Sequence, residues 1–490
     1  MSYEYDVIIV GSGPAGYSCA MQSSKFDKKV LVVEAHHSNL GGTWINLGTV
    51  PSKALRESAQ TIKKFDTQFG TEESRKPYER FRMEDLLQYK NEVLEQENKK
   101  VKNDLIKNEV DVARGYGRVA DEHTVEVETP IGTTERYTSK RILLCTGSSP
   151  VNPTTFEIDQ DKVLDYQSIF ELTHIPKRLV ILGIGVNALE YATTFAALGT
   201  RVTMLSENLQ HLTFLDDEIK DHLNQELRKQ GITIKTGVEV EDVDYNSIRT
   251  CVEVRFRNLE GDRRLQVIET EHALYMGGSK PNTANLGLEK VDIQTTEEGY
   301  IPVNDNFQTK VDSIYAAGDI IGFPRLASAS FTQGRLAACN MFDMPARDIP
   351  RQIPFGIYTI PEISHIGLTE KQAEERGHDV TIGRAYFKNI AKADMMGNPS
   401  GVLKLVFSTD TFKLLGVHII GDQACNLIHL GQAVMGLNGD IRYFIRNVMN
   451  YPTLSEAYRR AAFNGVNRVY KAGVKYKQIL EDKEFHDNQQ

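Results

Sequence analysis

Thiols are scarce in this chain: five cysteines in 490 residues, at positions 19, 145, 251, 339 and 425, and none stands in a CxxC pair. That spacing excludes a local redox disulfide and a zinc knuckle, so no metal site is expected. Cys19 and Cys339 lie among small and apolar neighbours and read as inert core thiols, which suits reducing surroundings. Long apolar runs are also missing. Nothing approaches the roughly 20 residues that cross a bilayer, which argues against a membrane partner. There is no basic excess either: 57 Lys+Arg stand against 66 Asp+Glu, a net charge of −9, which argues against nucleic acid or an anionic lipid surface. The start, MSYEYDVIIVG, leads straight into a strand-like run without the basic and apolar regions of a secretion signal, so cytoplasmic residence is expected. Tryptophan occurs once, at Trp44.

Ordinary globular material remains, 40% hydrophobic and 25% charged, in a chain too long for one core. Two segments repeat one pattern. Residues 5–34 (YDVIIVGSGPAGYSCAMQSSKFDKKVLVVE) and 178–207 (RLVILGIGVNALEYATTFAALGTRVTMLSE) each read as strand, glycine turn, amphipathic helix and strand. That is the βαβ unit of a doubly wound α/β sheet. In the first, Gly11, Gly13 and Gly16 form G-x-G-x-x-G around Pro14 and Ala15. Gly11 permits the turn, Gly13 lets a pyrophosphate reach the backbone, and Gly16 lets the helix pack on the sheet. The helix N-terminus then offers N–H groups to the phosphates, and Glu34 can accept from both ribose hydroxyls. The second unit has Gly183, Gly185 and Ala188, the G-x-G-x-x-A form. Glu34 stands 23 residues after Gly11, and the same offset from Gly183 lands on the neutral Ser206, followed by Glu207. Two dinucleotide sites in one chain suggest a flavin and a nicotinamide exchanging hydride.

Further stretches carry a family resemblance. TKVDSIYAAGD (309–319) is similar to the second flavin motif of the pyridine nucleotide–disulfide oxidoreductases, with Gly318 and Asp319 at the ribityl position. LLCTGSSP (143–150), with Thr146 and Gly147, and MGGSKPNT (276–283), with Gly278, resemble the crossings between that family's two nucleotide domains. GGTWINLGTVPSKAL (41–55), with Gly42 and Thr43, stands where the redox motif would be, and IYTIPEISHIGLTE (357–370) and NYPTLSEAY (450–458) resemble the dimerisation domain. Within the superfamily the likeness is best to the soluble pyridine nucleotide transhydrogenases, through IPFGIYTIPEIS, FKNIAKA, IIGDQACNLIHLGQAVM and NYPTLSEAYRRAAFNGVNR.

The resemblance implies a glutathione-reductase-like layout: two Rossmann-like dinucleotide-binding domains plus a C-terminal α+β dimerisation domain. It divides into an FAD domain over 1–150 completed by 282–345, an NAD(P) domain over 151–281, an interface domain over 346–470 and a tail over 471–490. It also implies a homodimer with active sites shared between chains, and an apolar helix around 425–437 turned to the partner. FAD, NAD(H) and NADP(H) are the implied cofactors, and pyridine nucleotides the substrates.

The family's two thiols and its proton-shuttling histidine fall on Trp44, Thr49 and Tyr451. Threonine cannot cycle through a disulfide, and a phenol of pKa near 10 is a poor base for a thiol. Disulfide reduction is therefore not expected. Lys53 and Glu190 match the family's ion pair beside flavin N5, the retained hydride apparatus. Glu456, lacking its histidine, reads as structural, and Tyr451 as a packed aromatic at the mouth of the site. Trp44 either wedges against the flavin or fills volume in the first helix after the loop. His36–His37 and the charged run 92–110 read as solvated, the latter as a helix face. Three functions follow: transhydrogenation, quinone or dye reduction by NAD(P)H, and a flavin-bearing scaffold. Serine at 206 suits both nicotinamide dinucleotides, whereas Glu207 and the absence of arginine from SENLQHLTF lean toward NAD(H).

Overall fold

The run YDVIIV at residues 5–10 has no polar face to offer water, so it demands cover on both sides. In the structure, a computed structural model that describes residues 2–36, 40–70, 77–346 and 352–471, it receives that cover. Val7 and Ile9 enter a cluster with Cys19, Leu143 and Leu336, while Ile8 and Val10 enter another with Val119, Leu144 and Ile314. The chain forms two units, 1–55 with 83–173 and 277–351, and 56–82 with 174–276 and 352–490.

The first unit is built on a parallel sheet in the order Asp111–Arg114, Val30–Glu34, Tyr5–Val10, Thr134–Leu144 and Ile314–Ala316. Val7 stands opposite Val30 on one side and Arg141 on the other. A hairpin, Tyr116–Asp121 and Thr124–Glu128, continues from Thr134–Leu144 in antiparallel fashion. Helix Pro14–Ser24 packs on helix Ala327–Met341 at backbone contact. A Cβ on Gly334 would lie 1.9 Å from the Ala15 carbonyl oxygen, so the small residues of both helices are a packing requirement. The charged run expected as a solvated helix face belongs to helix Met83–Lys107, which buries only Met83, Leu86, Val101 and Leu105.

The second unit repeats the βαβ pattern as Arg178–Leu182, Val186–Ala197 and Arg201–Ser206, flanked by parallel strands Thr233–Thr236 and His272–Tyr275. A three-stranded antiparallel sheet follows, Val238–Asn246, Cys251–Asn258 and Gln266–Thr270. The C-terminal part is a five-stranded antiparallel sheet in the order Phe355–Ile357, Ile363–Gly367, Leu414–Gly421, Gly401–Ser408 and Val380–Tyr386. Helix Glu456–Lys471 lies so close on it that a Cβ at Gly383 would sit 2.2 Å from the Ala461 carbonyl oxygen.

Most apolar residues of helix Ala424–Gly436 are taken up within their own unit. Leu427, Ile428, Val434 and Met435 fill their own unit's core with Phe444 and Tyr458. The outward stripe is Asn426, His429 and Ala433, with Leu437 84% exposed just beyond. A single sheet face already needs that apolar side, which helical periodicity by itself does not reveal. The tail beyond 471 and His37 lie outside the described residues.

Candidate active site

The first glycine loop is held in tension by contacts no other residue would permit. Gly11 has φ +108°, and a Cβ there would lie 2.5 Å from the Cys145 carbonyl oxygen; one on Gly16 would lie 1.9 Å from the Gly11 oxygen. Gly13 differs: it caps helix Pro14–Ser24 with no side-chain bond, and a Cβ there would meet nothing within 4 Å. The helix start is thus open above Gly13 and closed below Gly16, a cradle for phosphate oxygens. Gly42, at φ +61°, passes so near that its Cβ would touch the Gly13 Cα at 3.0 Å. Thr43 opens the short helix Thr43–Asn46.

Glu34 is buried at the end of its strand, and its bonds tie the loop together. One carboxylate oxygen accepts from the Ser12 amide at 3.0 Å and the Ser12 hydroxyl at 2.5 Å, and the other accepts from the His36 amide. Ser12 Oγ in turn accepts from the Gly41 amide. Ser12 was not among the expected residues. Its place between two loop glycines was the available signal.

Farther along this unit, Ser148–Pro150 pairs antiparallel with Ser279–Pro281. Thr146 Oγ1 donates to the Asn282 carbonyl, and Asn282 returns a bond to Thr146 and one to Gly147. Gly147 and Gly278, at φ +71° and +100°, make the turns that bring these crossings together. Ser148 donates to Asp319 Oδ2 at 2.8 Å, and the Gly318 amide donates to Gln333. Asp319 is therefore oriented from the crossing, with Ser148 a second residue the sequence reading missed.

Trp44 has a partner within its own unit. Its ring meets Phe331 edge-on at 5.1 Å, Phe331 meets Tyr17 likewise at 6.2 Å, and Tyr17 donates to Asp104 at 2.7 Å. Burial and that carboxylate push the Tyr17 phenol up to about 12. The Trp44 Nε1 is buried with no hydrogen-bond partner among the described residues. Thr49 is exposed at the start of helix Thr49–Phe69, and Lys53 is half-buried one turn on. All five cysteines are buried and unpaired, and burial raises the Cys19, Cys145 and Cys425 thiols.

The second unit carries the second loop. Gly183, at φ +130°, could not hold a Cβ without meeting the Met276 carbonyl at 2.9 Å. Gly185 caps helix Val186–Ala197 without a side-chain bond and opens onto free space, and Ala188 is buried behind it. Ser206 accepts from the Asn208 amide at 3.1 Å, Glu207 beside it is exposed, and its charge adds to burial in raising the Tyr275 phenol. The adjacent strand carries Lys235, whose Nζ lies 5.8 Å over the Phe256 ring. Glu190 is 6% exposed, and its Oε1 accepts from the Tyr358 amide at 2.8 Å. Tyr451 is 69% exposed in the single chain. Glu456 pairs with Arg460 through Oε1 while its Oε2 is buried without a bond.

The loops, the acid closing the first βαβ unit and the oriented aspartate fit a flavin adenine dinucleotide in the first unit and a nicotinamide dinucleotide in the second. Among the described residues, no helix is long and apolar enough to cross a membrane.

Comparison with known proteins supports the binding of a flavin and a pyridine nucleotide by a chain of this family. Residues 5–334 match the family described as pyridine nucleotide-disulphide oxidoreductase, and 353–462 match its dimerisation domain. A soluble pyridine nucleotide transhydrogenase from Marinomonas sp. (strain MWYL1) is 38% identical over 469 residues, 95% of this chain and 99% of the relative. Another, from Mycobacterium tuberculosis (strain ATCC 25177 / H37Ra), is 39% identical over 467 residues, 95% and 98% of the two chains. Among solved structures, the HOCl-induced flavoprotein disulfide reductase RclA from Escherichia coli is similar with a TM-score of 0.83 at 26% identity, covering 94% of this chain and 99% of that one.

Proposed function

The chain belongs to the pyridine nucleotide-disulphide oxidoreductase family, and from that premise we infer that it passes hydride between pyridine nucleotides without a redox disulfide. The observation that carries this is a contrast. Both nucleotide loops keep the geometry a dinucleotide needs, while the resemblance puts Trp44 and Thr49 where the family's thiols would stand and every cysteine is buried elsewhere. Transhydrogenases similar over nearly the whole chain support the same reaction. A bound flavin would supply a two-electron store that accepts hydride from one nicotinamide and yields it to another.

The residues divide the labour. Gly11, Gly13 and Gly16 would receive the flavin's pyrophosphate, Glu34 its ribose and Asp319 its ribityl chain. Gly183, Gly185 and Ala188 would seat the nicotinamide dinucleotide, with Ser206 and Glu207 at the ribose edge. Lys53 would favour negative charge on the reduced ring, and Glu190 is the carboxylate the resemblance assigns to the hydride path. The dimerisation segment supports a homodimer as the working form, with the exposed Tyr451 offered to the partner's site and Glu456 structural, paired with Arg460.

Stopped-flow mixing tests this. Anaerobic NADH and NADPH should each bleach the flavin, and NAD⁺ or a thio-NADP⁺ should restore its colour. An NADPH that leaves the flavin oxidised would rule out transhydrogenation. A second reading, reduction of quinones by NADH, is favoured by one observation: beside Ser206 stands an anion, Glu207, while Lys235 on the next strand lies over Phe256. It requires faster reoxidation by a benzoquinone than by any nicotinamide.

A further inference from the structure

Arg56 is a guanidinium buried to 2% exposure, three residues after Lys53. Its Nη1 pairs with the exposed carboxylate of Glu57, and its other hydrogen bonds converge on one short stretch. Nε donates to the Tyr358 carbonyl at 3.1 Å and Nη2 to the Thr359 carbonyl at 3.2 Å, while Nη2 also pairs with Glu362 at 3.0 Å. Glu362 is anchored in turn, its second oxygen accepting from the Cys425 amide. Seen from its other side, the same stretch is bonded to helix Val186–Ala197. The Tyr358 amide donates to Glu190 Oε1 at 2.8 Å, and the Ile360 amide donates to Thr193 Oγ1 at 3.1 Å, one turn farther along.

A glutamate side chain has three rotatable bonds, and a buried carboxylate gains a defined place only if its donor cannot itself turn. Here the donor is backbone, and that backbone is clamped through its carbonyls by a forked cation. Glu362 and Glu57 balance the cation's charge, so the fork costs no uncompensated buried ion. A structural cation would need only these two carboxylates. The two carbonyl bonds, placed beside the residue that fixes Glu190, are unexplained by charge balance.

We propose that Arg56 is a positioning residue for hydride transfer: by clamping Tyr358 and Thr359 it holds the Tyr358 amide against Glu190 and so fixes that carboxylate. This rests on the reading of Glu190 as a hydride-path residue. Lysine at 56 could keep the pair with Glu362, but it could not span two successive carbonyls in a plane.

The experiment uses the flavin-loaded dimer in the variants R56K, R56M and E190Q. Flavin reduction by NADH is followed in stopped flow across NADH concentrations, and amide exchange at Tyr358 by mass spectrometry. R56K should slow the limiting reduction rate by roughly tenfold while changing the NADH dissociation constant less than about twofold, because a misplaced group costs rate and not binding. Exchange at Tyr358 should accelerate in R56K. R56M should exceed both effects, and where it does not fold R56K decides. E190Q keeps an acceptor for the Tyr358 amide but loses the charge, and should also slow reduction. Normal reduction in E190Q would overturn the role of Glu190 and the proposal with it. Slow reduction in E190Q beside normal reduction or unchanged Tyr358 exchange in R56K would overturn the positioning role alone.

Discussion

Replacing His365 with phenylalanine should make the protein markedly less sensitive to mild acid. His365 lies stacked on His418, with ring centroids 5.9 Å apart and planes 8° from parallel, between Phe355 at 5.8 Å and Phe214 at 5.7 Å. Its Nε2 is buried without a bond. Burial, with the neighbouring His418 adding to it and Asp216 opposing, holds its pKa down at about 3. In the unfolded chain the same ring titrates near 6.5. Because the folded value is depressed, the stabilisation is complete above about pH 6.5 and is lost as pH falls toward about 3, where the folded ring also protonates. From pH 6.5 to about pH 5 the unfolded state takes up a proton that the folded state refuses. At about 1.4 kcal/mol per pH unit this is roughly 2 kcal/mol. H365F has no such proton to refuse, and phenylalanine suits the aromatic stack. Urea denaturation of both proteins at about pH 7 and about pH 5 reads the difference: the wild type should lose roughly 2 kcal/mol more than the variant. Equal losses would show that His365 opens to solvent or finds a proton acceptor on folding, and the argument from burial would fail.

Two glycine substitutions separate folding from binding. G13A, where a Cβ meets nothing within 4 Å, should leave the melting of flavin-free protein unchanged yet weaken flavin retention by about tenfold or more, read as visible absorbance per chain after gel filtration. G16A, whose Cβ would sit 1.9 Å from the Gly11 oxygen, should lower both. Lys404 is 2% exposed and is held by Asp216 at 2.9 Å and Glu370 at 2.7 Å; burial opposes its charge, but those carboxylates raise its pKa. K404M should cost about 3–5 kcal/mol in urea denaturation by leaving the buried Asp216 without its cation.

The two βαβ units could be read directly because their signals are local. A glycine at a fixed offset after an apolar strand is a statement about neighbouring backbone, and Gly11, Gly16 and Gly183 confirm it through contacts only glycine allows. The helix at 424–436 was legible as apolar but not as to what covers it, because the same stripe serves a core or a partner. Ser12 and Ser148 escaped notice because a serine's meaning depends on what stands opposite. For them that is Glu34 and Asp319, 22 and 171 residues away.

The amino-acid order alone determined the two glycine loops and the family, since each is a matter of residue type at short spacing. Only the tertiary structure decided that Arg56 is buried, that Glu190 accepts from an amide 168 residues away, and that two histidines stack beside the Phe355 ring. Such pairings follow from sheet register and helix docking, which bring distant segments together and leave no local periodicity to read.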